Sequence, residues 1–230
     1  MIKLALIGKE IKHSKSQEVY EDILNHKISY TLIDCETTEA IPPLDELFRQ
    51  YAGVSITSPY KKHFLNDVTV SEEFSDLNAI NCIRKKDDIF EAINTDYLAV
   101  KDIISSIIRQ HGGINVLILG DGAMSNITTK LLRTMNINFK VCSRKRGDRI
   151  EDLDLTDYFR DSTLRPLVIN TCSRGFIFRG KVDKNILFWD YNYSQQVQRE
   201  LLSSKAMHYI DGQGLLKEQA RYALRFWGIA

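Results

Sequence analysis

The feature that most constrains this chain is a regular alternation of short apolar runs with longer segments of helical period. The short runs have the length of buried strands and lie at residues 4–7, 30–33, 53–56, 116–119, 139–142, 167–169 and 187–189. The longer segments carry apolar residues three and four positions apart and lie at residues 17–25, 99–110, 126–135 and 215–227. Strands that alternate with helices form parallel βαβ units, so the pattern predicts an α/β fold.

The same pattern begins a second time in the middle of the chain, which predicts two domains. A helix that begins near Asn94 ends at His111-Gly112-Gly113, and a new strand and a glycine-bearing turn follow. A chain of 230 residues is long enough for two small domains. We therefore place a boundary between Asn94 and Asp96. The last segment, from Asp211 to the helix ending near Trp227, fits either half on periodicity alone.

Charge and cysteine content argue against several classes of protein. The 31 Lys and Arg residues nearly cancel the 30 Asp and Glu residues, so no global field steers the chain to nucleic acid or to a membrane. The 4 cysteines are widely spaced, without a Cys-x-x-Cys pair, which argues against a zinc site or a disulfide framework. The opening apolar run is too short for a signal peptide, and no apolar stretch approaches the roughly 20 residues of a spanning helix. We expect a cytoplasmic protein that binds no metal, nucleic acid or membrane.

A glycine turn between a buried strand and an amphipathic helix is a candidate nucleotide site. In the segment VLILGDGAMSNITTKLL, Gly120 and Gly122 directly follow the strand. The N–H groups at the start of the helix would face a pyrophosphate there. Ser125 fills the third small position, so the pattern is G-x-G-x-x-S. A strand-to-helix turn that simply needs glycines remains the alternative.

A basic turn after the next strand bears on the type of cofactor. Ser143, Arg144 and Lys145 stand where a carboxylate would bind the ribose hydroxyls of NAD, about 20 residues after the glycine turn. A carboxylate repels a 2′-phosphate, whereas a guanidinium group pairs with one, so the turn favours NADP. The alternative is a solvated basic turn that Asp148 and Asp152 partly neutralise.

Polar residues in the first half have both structural and functional explanations. Ser14 and Gln17 form the S-x-x-Q pattern of a capping box, yet Ser14 and Ser16 at the positive end of a helix dipole also suit a ligand carboxylate. Lys61 follows the strand of GVSITSPYKK, where a lysine is ordinarily just solvated. Asn81 lies at a strand end, where Asx-turn chemistry is the ordinary explanation. The residues alone leave these alternatives open.

Taken together and in this order, the segments resemble the shikimate dehydrogenase family nearly from end to end. In the first half, the family's S-x-S, N-V-T-x-P-x-K, A-V-N-T and N-T-D-G motifs are matched by Ser14 and Ser16 and by residues 55–61, 79–82 and 94–97. In the second half, its glycine turn, N-R-T, I-N-A-T-x-x-G, D-x-x-Y and D-G-x-G-M-L-x-x-Q-A motifs are resembled at Gly120 and at residues 143–145, 169–175, 190–193 and 211–220.

The resemblance implies an NADP-dependent oxidoreductase that interconverts 3-dehydroshikimate and shikimate in chorismate and aromatic amino acid biosynthesis. It implies a substrate-binding α/β domain of residues 1–95 and 211–230 and a Rossmann-like NADP domain of residues 96–210, with a cleft between them. Lys61 would be the acid/base, with Asp96 beside it. The residues implied for the substrate are Ser14, Ser16, Ser55, Thr57, Asn81, Tyr193 and Gln219. Those implied for the cofactor are Gly120, Gly122, Ala123, Ser143, Arg144, Lys145, Asn170 and Gly212. The partner would be a small-molecule substrate, and the protein a monomer or homodimer.

Several departures from the family pattern keep two alternatives open. Ser55 replaces an asparagine that helps hold substrate hydroxyls, Tyr97 replaces a glycine, and Asp121 puts a negative charge near the phosphate turn. The shorter Ser55 would suit another hydroxy acid such as quinate. Tyr97 and Asp121 would suit a degenerate relative that binds a ligand without turnover. We expect an intact site in which the ring of Tyr97 is turned aside.

Overall fold

The computed structural model describes residues 1–193, 196–205 and 208–230, and the chain divides into two compact units. Unit 1 consists of Met1–Ala99 and Leu216–Ala230, and unit 2 consists of Val100–Leu215. The sequence placed the boundaries at residues 95 and 210. The chain passes between the units within two helices, so both boundaries fall inside helices that the sequence pattern assigned wholly to one side.

The strands and helices follow one another along the described residues. The strands are β1 (Lys3–Gly8), β2 (Ser29–Asp34), β3 (Gly53–Ile56), β4 (Thr69–Val70), β5 (Cys82–Lys86), β6 (Ile89–Ile93), β7 (Ile114–Leu119), β8 (Phe139–Cys142), β9 (Arg165–Asn170), β10 (Leu187–Asp190) and β11 (His208–Ile210). The helices are α1 (Ser16–Leu24), α2 (Leu44–Gln50), α3 (Glu72–Ser75), α4 (Thr95–His111), α5 (Ala123–Thr134), α6 (Leu155–Tyr158), α7 (Gln196–Ser203) and α8 (Gln213–Phe226).

The sheet of unit 1 is mixed, with strand order β2-β1-β3-β5-β6-β4. Strand β1 pairs in parallel with β2 and β3, whereas β5 is antiparallel to both β3 and β6. The β5–β6 hairpin turns through Asp87 and Asp88, whose φ angles of 48° and 62° are those of a two-residue type I′ turn. A two-residue loop can join only antiparallel neighbours, so the hairpin interrupts the parallel pattern predicted from the sequence, and β4 pairs in parallel with β6 beyond it.

The end of α8 is anchored on the sheet of unit 1. Trp227 donates from Nε1 to the carbonyl of Ile83 at 2.9 Å. Its ring occupies the space where a Cβ on Gly53 would lie 2.4 Å away, so only glycine fits at that position. Arg84 donates to the carbonyl of Phe226 at 2.6 Å and lies 4.3 Å from the centroid of that ring. These contacts fix the helix whose inner residues join the candidate site.

Unit 2 contains a five-stranded sheet with the order β11-β10-β9-β7-β8, and its paired strands are parallel. The carboxyl ends of parallel strands meet at one edge, where ligands of α/β proteins bind. The loops after β7, β8 and β9 carry most of the predicted cofactor residues to this edge. Within the described ranges, no helix combines the length and the apolar character needed to cross a bilayer.

Candidate active site

Lys61, the predicted acid/base, forms a buried ion pair with Asp96. Lys61 lies in the turn after β3, and its carbonyl accepts a hydrogen bond from the backbone N–H of Ile80 at 2.8 Å. Its Nζ lies 2.5 Å from Oδ2 of Asp96, and the two side chains are 14% and 6% exposed. Gln219 of α8 donates from Nε2 to Oδ1, the other carboxylate oxygen. Three residues predicted from separate motifs therefore lie together in unit 1.

This geometry suits the transfer of a proton at Lys61. The carboxylate of Asp96 accepts on both oxygens and stands in the first turn of α4, at the positive end of the helix dipole. It is therefore a fixed negative charge that holds the ammonium group in place. An ammonium group has three N–H donors, so Lys61 retains donors for a ligand after pairing with Asp96. The group can deliver a proton to an oxygen placed beside Nζ, or accept one from it.

The start of α4 is organised by two asparagine side chains. Asn94 accepts from the backbone N–H of Tyr97 at 3.0 Å and donates to the carbonyl of Ala79 at 3.0 Å, as a helix-capping residue does. Asn81 accepts from the backbone N–H of Thr95 at 2.7 Å and donates to its hydroxyl at 3.0 Å. Asn81 thus lies at the helix end that carries Asp96, and both atoms of its amide contact Thr95.

The capping box, one of the two alternatives at Ser14, does not form, because α1 begins one residue later than such a box requires. The N-cap is Lys15, without a side-chain cap, and the side chain of Gln17 donates to Glu21 at 3.0 Å. Ser14 instead accepts from the backbone N–H of Ser16 at 3.3 Å and donates to its Oγ at 3.1 Å. The two hydroxyls therefore lie together at the start of α1, and the carboxylate-binding explanation is the one that stays open.

Two tyrosines that the sequence analysis missed lie beside the serine hydroxyls. The hydroxyl of Tyr20 lies 3.3 Å from Oγ of Ser55. The hydroxyl of Tyr30 is buried without a well-aligned hydrogen-bond partner, although Ser16 and Ser55 lie close enough to lower its pKa. Burial outweighs that effect and raises the pKa of Tyr20 and Tyr30. Both therefore remain neutral hydroxyls, grouped with those of the serines.

Thr57, the remaining substrate residue predicted in unit 1, is fixed by backbone contacts. Its N–H donates to the carbonyl of Ile7 at 2.9 Å. Its methyl group lies 2.5 Å from the position that a Cβ on Gly8 would take. The close approach of these two strand ends therefore needs the glycine and holds Thr57 at the carboxyl end of β3.

In unit 2, the glycine turn leaves the start of α5 open. Gly120 has φ of 100°, and a Cβ there would lie 2.9 Å from Oγ1 of Thr171. Gly122 is the N-cap of α5, no side chain caps the helix, and its first turn, which begins at Ala123, contains no acidic residue. A Cβ on Gly122 would meet nothing within 4 Å. The unsatisfied N–H groups of this turn fit a phosphate.

The basic turn after β8 is paired with carboxylates other than the expected ones. The hydroxyl of Ser143 donates to Asp121 at 3.1 Å, and Nζ of Lys145 lies 3.7 Å from the same carboxylate. Arg144 lies 3.8 Å from Glu151. The alternative, in which Asp148 and Asp152 partly neutralise the turn, does not describe these basic side chains, since Asp148 accepts from the backbone N–H of Ser143 and Asp152 pairs with Arg149. The negative charge of Asp121 beside the glycine turn is therefore offset locally.

The other predicted residues of unit 2 have visible structural roles. Asn170 is fully buried, donates to Asp190 at 3.1 Å and accepts from the N–H of Cys172 at 3.0 Å. A Cβ on Gly212 would lie 2.2 Å from the carbonyl oxygen of Tyr191, so backbone packing alone requires glycine. The hydroxyl of Tyr193 accepts from Arg174 at 3.0 Å.

Asp190 is a fully buried carboxyl group at the end of β10. Its Oδ1 accepts from Asn170 and from the backbone and side chain of Asn192, and its Oδ2 accepts from the hydroxyl of Tyr209 at 3.2 Å. Burial raises the pKa of Asp190 above its ordinary value, although these donors lower it. When the pKa of a carboxyl group is raised by folding, the folded state loses stability as the pH rises through the folded pKa.

We therefore expect Asp190→Asn to keep the fold and to be at least as stable as the unaltered protein at neutral pH. The amide retains the acceptor at Oδ1 and removes a buried charge. Removal of that charge should raise the free energy of unfolding by about 1.4 kcal/mol for each unit by which the pKa is raised. Urea denaturation at pH 5 and pH 7.5 measures the difference. The advantage should shrink toward acid pH, and an advantage that grows there would contradict the assignment.

The fold and the site define a class of protein. Unit 2 carries a glycine turn and a basic turn at the carboxyl edge of a parallel sheet, the arrangement of dinucleotide-binding domains. Unit 1 carries a lysine–aspartate pair suited to proton transfer. The family model of the shikimate dehydrogenase substrate binding domain matches residues 6–83. The chain is similar to shikimate dehydrogenases over nearly its whole length, as its motifs predicted.

Individual relatives match nearly the whole chain at low identity. The shikimate dehydrogenase (NADP(+)) of Saccharolobus islandicus is 25% identical over 246 residues, which cover 96% of this chain and 87% of that protein. That of Bacillus subtilis is 22% identical over 253 residues, which cover 96% and 90%. The crystal structure of shikimate dehydrogenase from Aquifex aeolicus is similar with a TM-score of 0.74 at 18% identity, over 100% of this chain and 93% of that one. This last likeness supports the fold.

Proposed function

We propose that this protein is an NADP-dependent oxidoreductase that interconverts 3-dehydroshikimate and shikimate. The observation that carries the proposal is the group of Lys61, Asp96 and Gln219, in which a proton donor is held 2.5 Å from a fixed carboxylate. The hydroxyls of Ser14 and Ser16 lie together in the same unit. The relatives named above are shikimate dehydrogenases that use NADP, which supports the same reaction and cofactor.

In the proposed mechanism, Lys61 handles the proton of the reacting oxygen. Reduction of a ketone leaves negative charge on its oxygen, and NADPH supplies the hydride when it is bound. Lys61 donates a proton from Nζ to that oxygen, and in the reverse direction it accepts the hydroxyl proton. Asp96 orients the lysine, and Gln219 orients Asp96. The low exposure of the pair limits competition from water.

We assign the substrate carboxylate to Ser14 and Ser16. The adjacent hydroxyls of Ser14 and Ser16 stand at the positive end of the α1 dipole, which favours a carboxylate there. Ser55 is shorter than the family's asparagine, and the hydroxyl of Tyr20 lies 3.3 Å from its Oγ, so a second polar group partly replaces the missing amide. The substrate hydroxyls and ring are assigned to Ser55, Thr57, Asn81, Tyr193 and Gln219.

We assign the cofactor to the carboxyl edge of unit 2. The open N–H groups at the start of α5 fit the pyrophosphate. Asn170 and Gly212 shape the edge through backbone packing, and the cofactor residues proposed here are Gly120, Gly122, Ala123, Ser143, Arg144, Lys145, Asn170 and Gly212. The hydroxyl of Ser143 and the ammonium group of Lys145 both contact Asp121, so these two donors lie beside the glycine turn.

Arg144→Ala should raise the Michaelis constant for NADP about ten-fold, because it removes one charge-assisted contact. The Michaelis constant for NAD should change little. The physical reason is that only NADP carries the 2′-phosphate that a guanidinium group would bind. Initial rates with each cofactor measure this, and Arg146→Ala provides the control, because Arg146 donates weakly to the carbonyl of Val141 at 3.4 Å. Better use of NAD than of NADP by the unaltered protein would show the 2′-phosphate assignment to be wrong.

A spectrophotometric screen of NADP and NAD reduction with shikimate and with quinate tests the function itself. Reduction of NADP with shikimate is the expected result. Faster turnover of quinate would identify Ser55 as an adaptation to another hydroxy acid. Binding of shikimate without reduction of either cofactor would identify a degenerate relative.

We further propose that the reaction serves chorismate and aromatic amino acid biosynthesis in the cytoplasm and that the protein acts as a monomer or homodimer. The biosynthetic role follows from the reaction proposed above. Light scattering of the purified protein measures the oligomeric state.

A further inference from the structure

A cavity at the carboxyl edge of unit 2 is lined by two arginines from different loops. It has a volume of about 370 Å³, and Arg144, Glu151, Ser173 and Arg179 are among its lining residues. Arg144 follows β8, and the segment from Ser173 to Arg179 follows β9. Strand β7 lies between these two strands in the sheet and leads into the turn at Gly120. The cavity therefore flanks the glycine turn.

The two arginines differ in how far a neighbouring carboxylate neutralises their charge. The side chain of Arg144 lies 3.8 Å from Glu151, which offsets part of its charge. The backbone N–H of Arg179 donates to the carbonyl of Glu151 at 2.8 Å, so the segments carrying these residues are direct neighbours. Within the described ranges, the guanidinium group of Arg179 has no carboxylate at ion-pair distance. The cavity therefore holds two arginines against one glutamate.

We infer that Arg179 is a specificity-determining residue that binds the 2′-phosphate of NADP together with Arg144. The inference rests on the proposed function, since it assumes that NADP binds at this edge. A 2′-phosphate carries close to two negative charges, and guanidinium groups bind phosphate through paired N–H donors. Because Glu151 competes with the phosphate for Arg144, this arginine alone leaves part of the phosphate charge without a positive partner. Arg179 supplies the missing positive charge, and the hydroxyl of Ser173 offers a further donor.

Arg179 lies outside the family motifs found in the sequence, so motif reasoning did not find it. Only the tertiary structure reveals its position. The backbone hydrogen bond from Arg179 to Glu151 holds the two segments side by side at the cavity. Its neighbour Gly180 supports this pairing, since a Cβ there would lie 2.0 Å from the carbonyl oxygen of Leu153. The backbone that carries Arg179 is therefore held in place.

Calorimetric binding of 2′,5′-ADP and of 5′-AMP tests the inference without requiring turnover. Arg179→Gln should weaken 2′,5′-ADP about ten-fold, the loss of one charge-assisted contact, and leave 5′-AMP unchanged. Glu151→Gln should strengthen 2′,5′-ADP, because it removes the competing charge. Arg149→Gln is the matched control: it removes the same charge from a side chain that is 89% exposed and paired with Asp152, and it should change neither affinity.

The outcomes separate this inference from the function on which it rests. An equal loss of both nucleotides in Arg179→Gln, or no loss of either, would overturn the inference. Failure of the unaltered protein to bind either nucleotide would overturn the cofactor site and the inference together. A selective loss of 2′,5′-ADP in a protein that does not oxidise shikimate would support the role of Arg179 and overturn the proposed reaction.

Discussion

Lys61→Ala is expected to lower the turnover number for shikimate by about a hundred- to ten-thousand-fold, the usual loss for one general acid or base. The substitution removes the ammonium group that lies 2.5 Å from Asp96 and would meet the charge on the reacting oxygen. Arg144 and the glycine turn belong to unit 2, so we expect the affinity for NADP to remain nearly unchanged. Initial rates and calorimetric titration with NADP measure the two quantities.

Lys62→Ala is the matched control, because Lys62 is the next residue and its side chain is exposed. It should retain the turnover of the unaltered protein. Since Lys61→Ala leaves the buried carboxylate of Asp96 without its cation, thermal unfolding must show that both variants are folded at the assay temperature. A folded Lys61→Ala variant that keeps more than half of the original activity would remove Lys61 from the mechanism.

The parallel part of the fold could be predicted because its central strands β1, β7, β9 and β10 are buried on both faces and appear as continuous apolar runs. The β5–β6 hairpin was missed for the opposite reason. Its sequence CIRKKDDIFEAI places Lys85, Lys86, Asp87 and Asp88 around the turn, and these side chains are exposed. Only the positive φ angles of the two aspartates reveal a type I′ turn. Strand β5, with the sequence CIRKK, ends in three charged residues and carries too few apolar residues for a pattern to show.

Lys61, Asp96 and Gln219 could be singled out from the sequence because each lies within an ordered motif. Their mutual contact could not, since it depends on how α4 and α8 pack in unit 1. Tyr20 and Tyr30 gave no usable signal, because a tyrosine on a helix or strand most often packs in a core. The shortened side chain at Ser55 was the one indication that other hydroxyls lie nearby.

Closeness along the chain does not identify the electrostatic partners of the basic turn. The alternative explanation of the turn assigned its partial neutralisation to Asp148 and Asp152, which are close along the chain. The side chains of Lys145 and Arg144 instead meet Asp121 and Glu151. Asp121 reaches the turn because parallel pairing of β7 with β8 brings the ends of these two strands together. Such pairings follow from strand order, which periodicity does not specify.

Tyr97 stands where the family has glycine, and its ring is buried against Phe74. The side chain is 3% exposed and meets Phe74 edge-on, with ring centroids 5.9 Å apart at an interplanar angle of 88°. Tyr97 and Asp96 are successive residues of a helix, so their side chains point about 100° apart. The expectation that the ring is turned aside agrees with this packing, and the ring forms part of the core of unit 1.

Tyr97→Gly is therefore expected to destabilise the protein by about 4 kcal/mol or more, through loss of a buried aromatic ring and the cost of glycine in a helix. This exceeds the cost of backbone flexibility alone, because the ring fills space against Phe74. Urea denaturation measures the free energy of unfolding, and Tyr97→Phe, which keeps the ring, should stay within about 1 kcal/mol of the unaltered protein. Turnover of shikimate by the folded fraction of Tyr97→Gly should change only modestly, since Lys61 and Asp96 retain their contact. A large gain of shikimate oxidation from an inactive unaltered protein, with little loss of stability, would instead mean that the tyrosine blocks the site and that this chain is a degenerate member of its family.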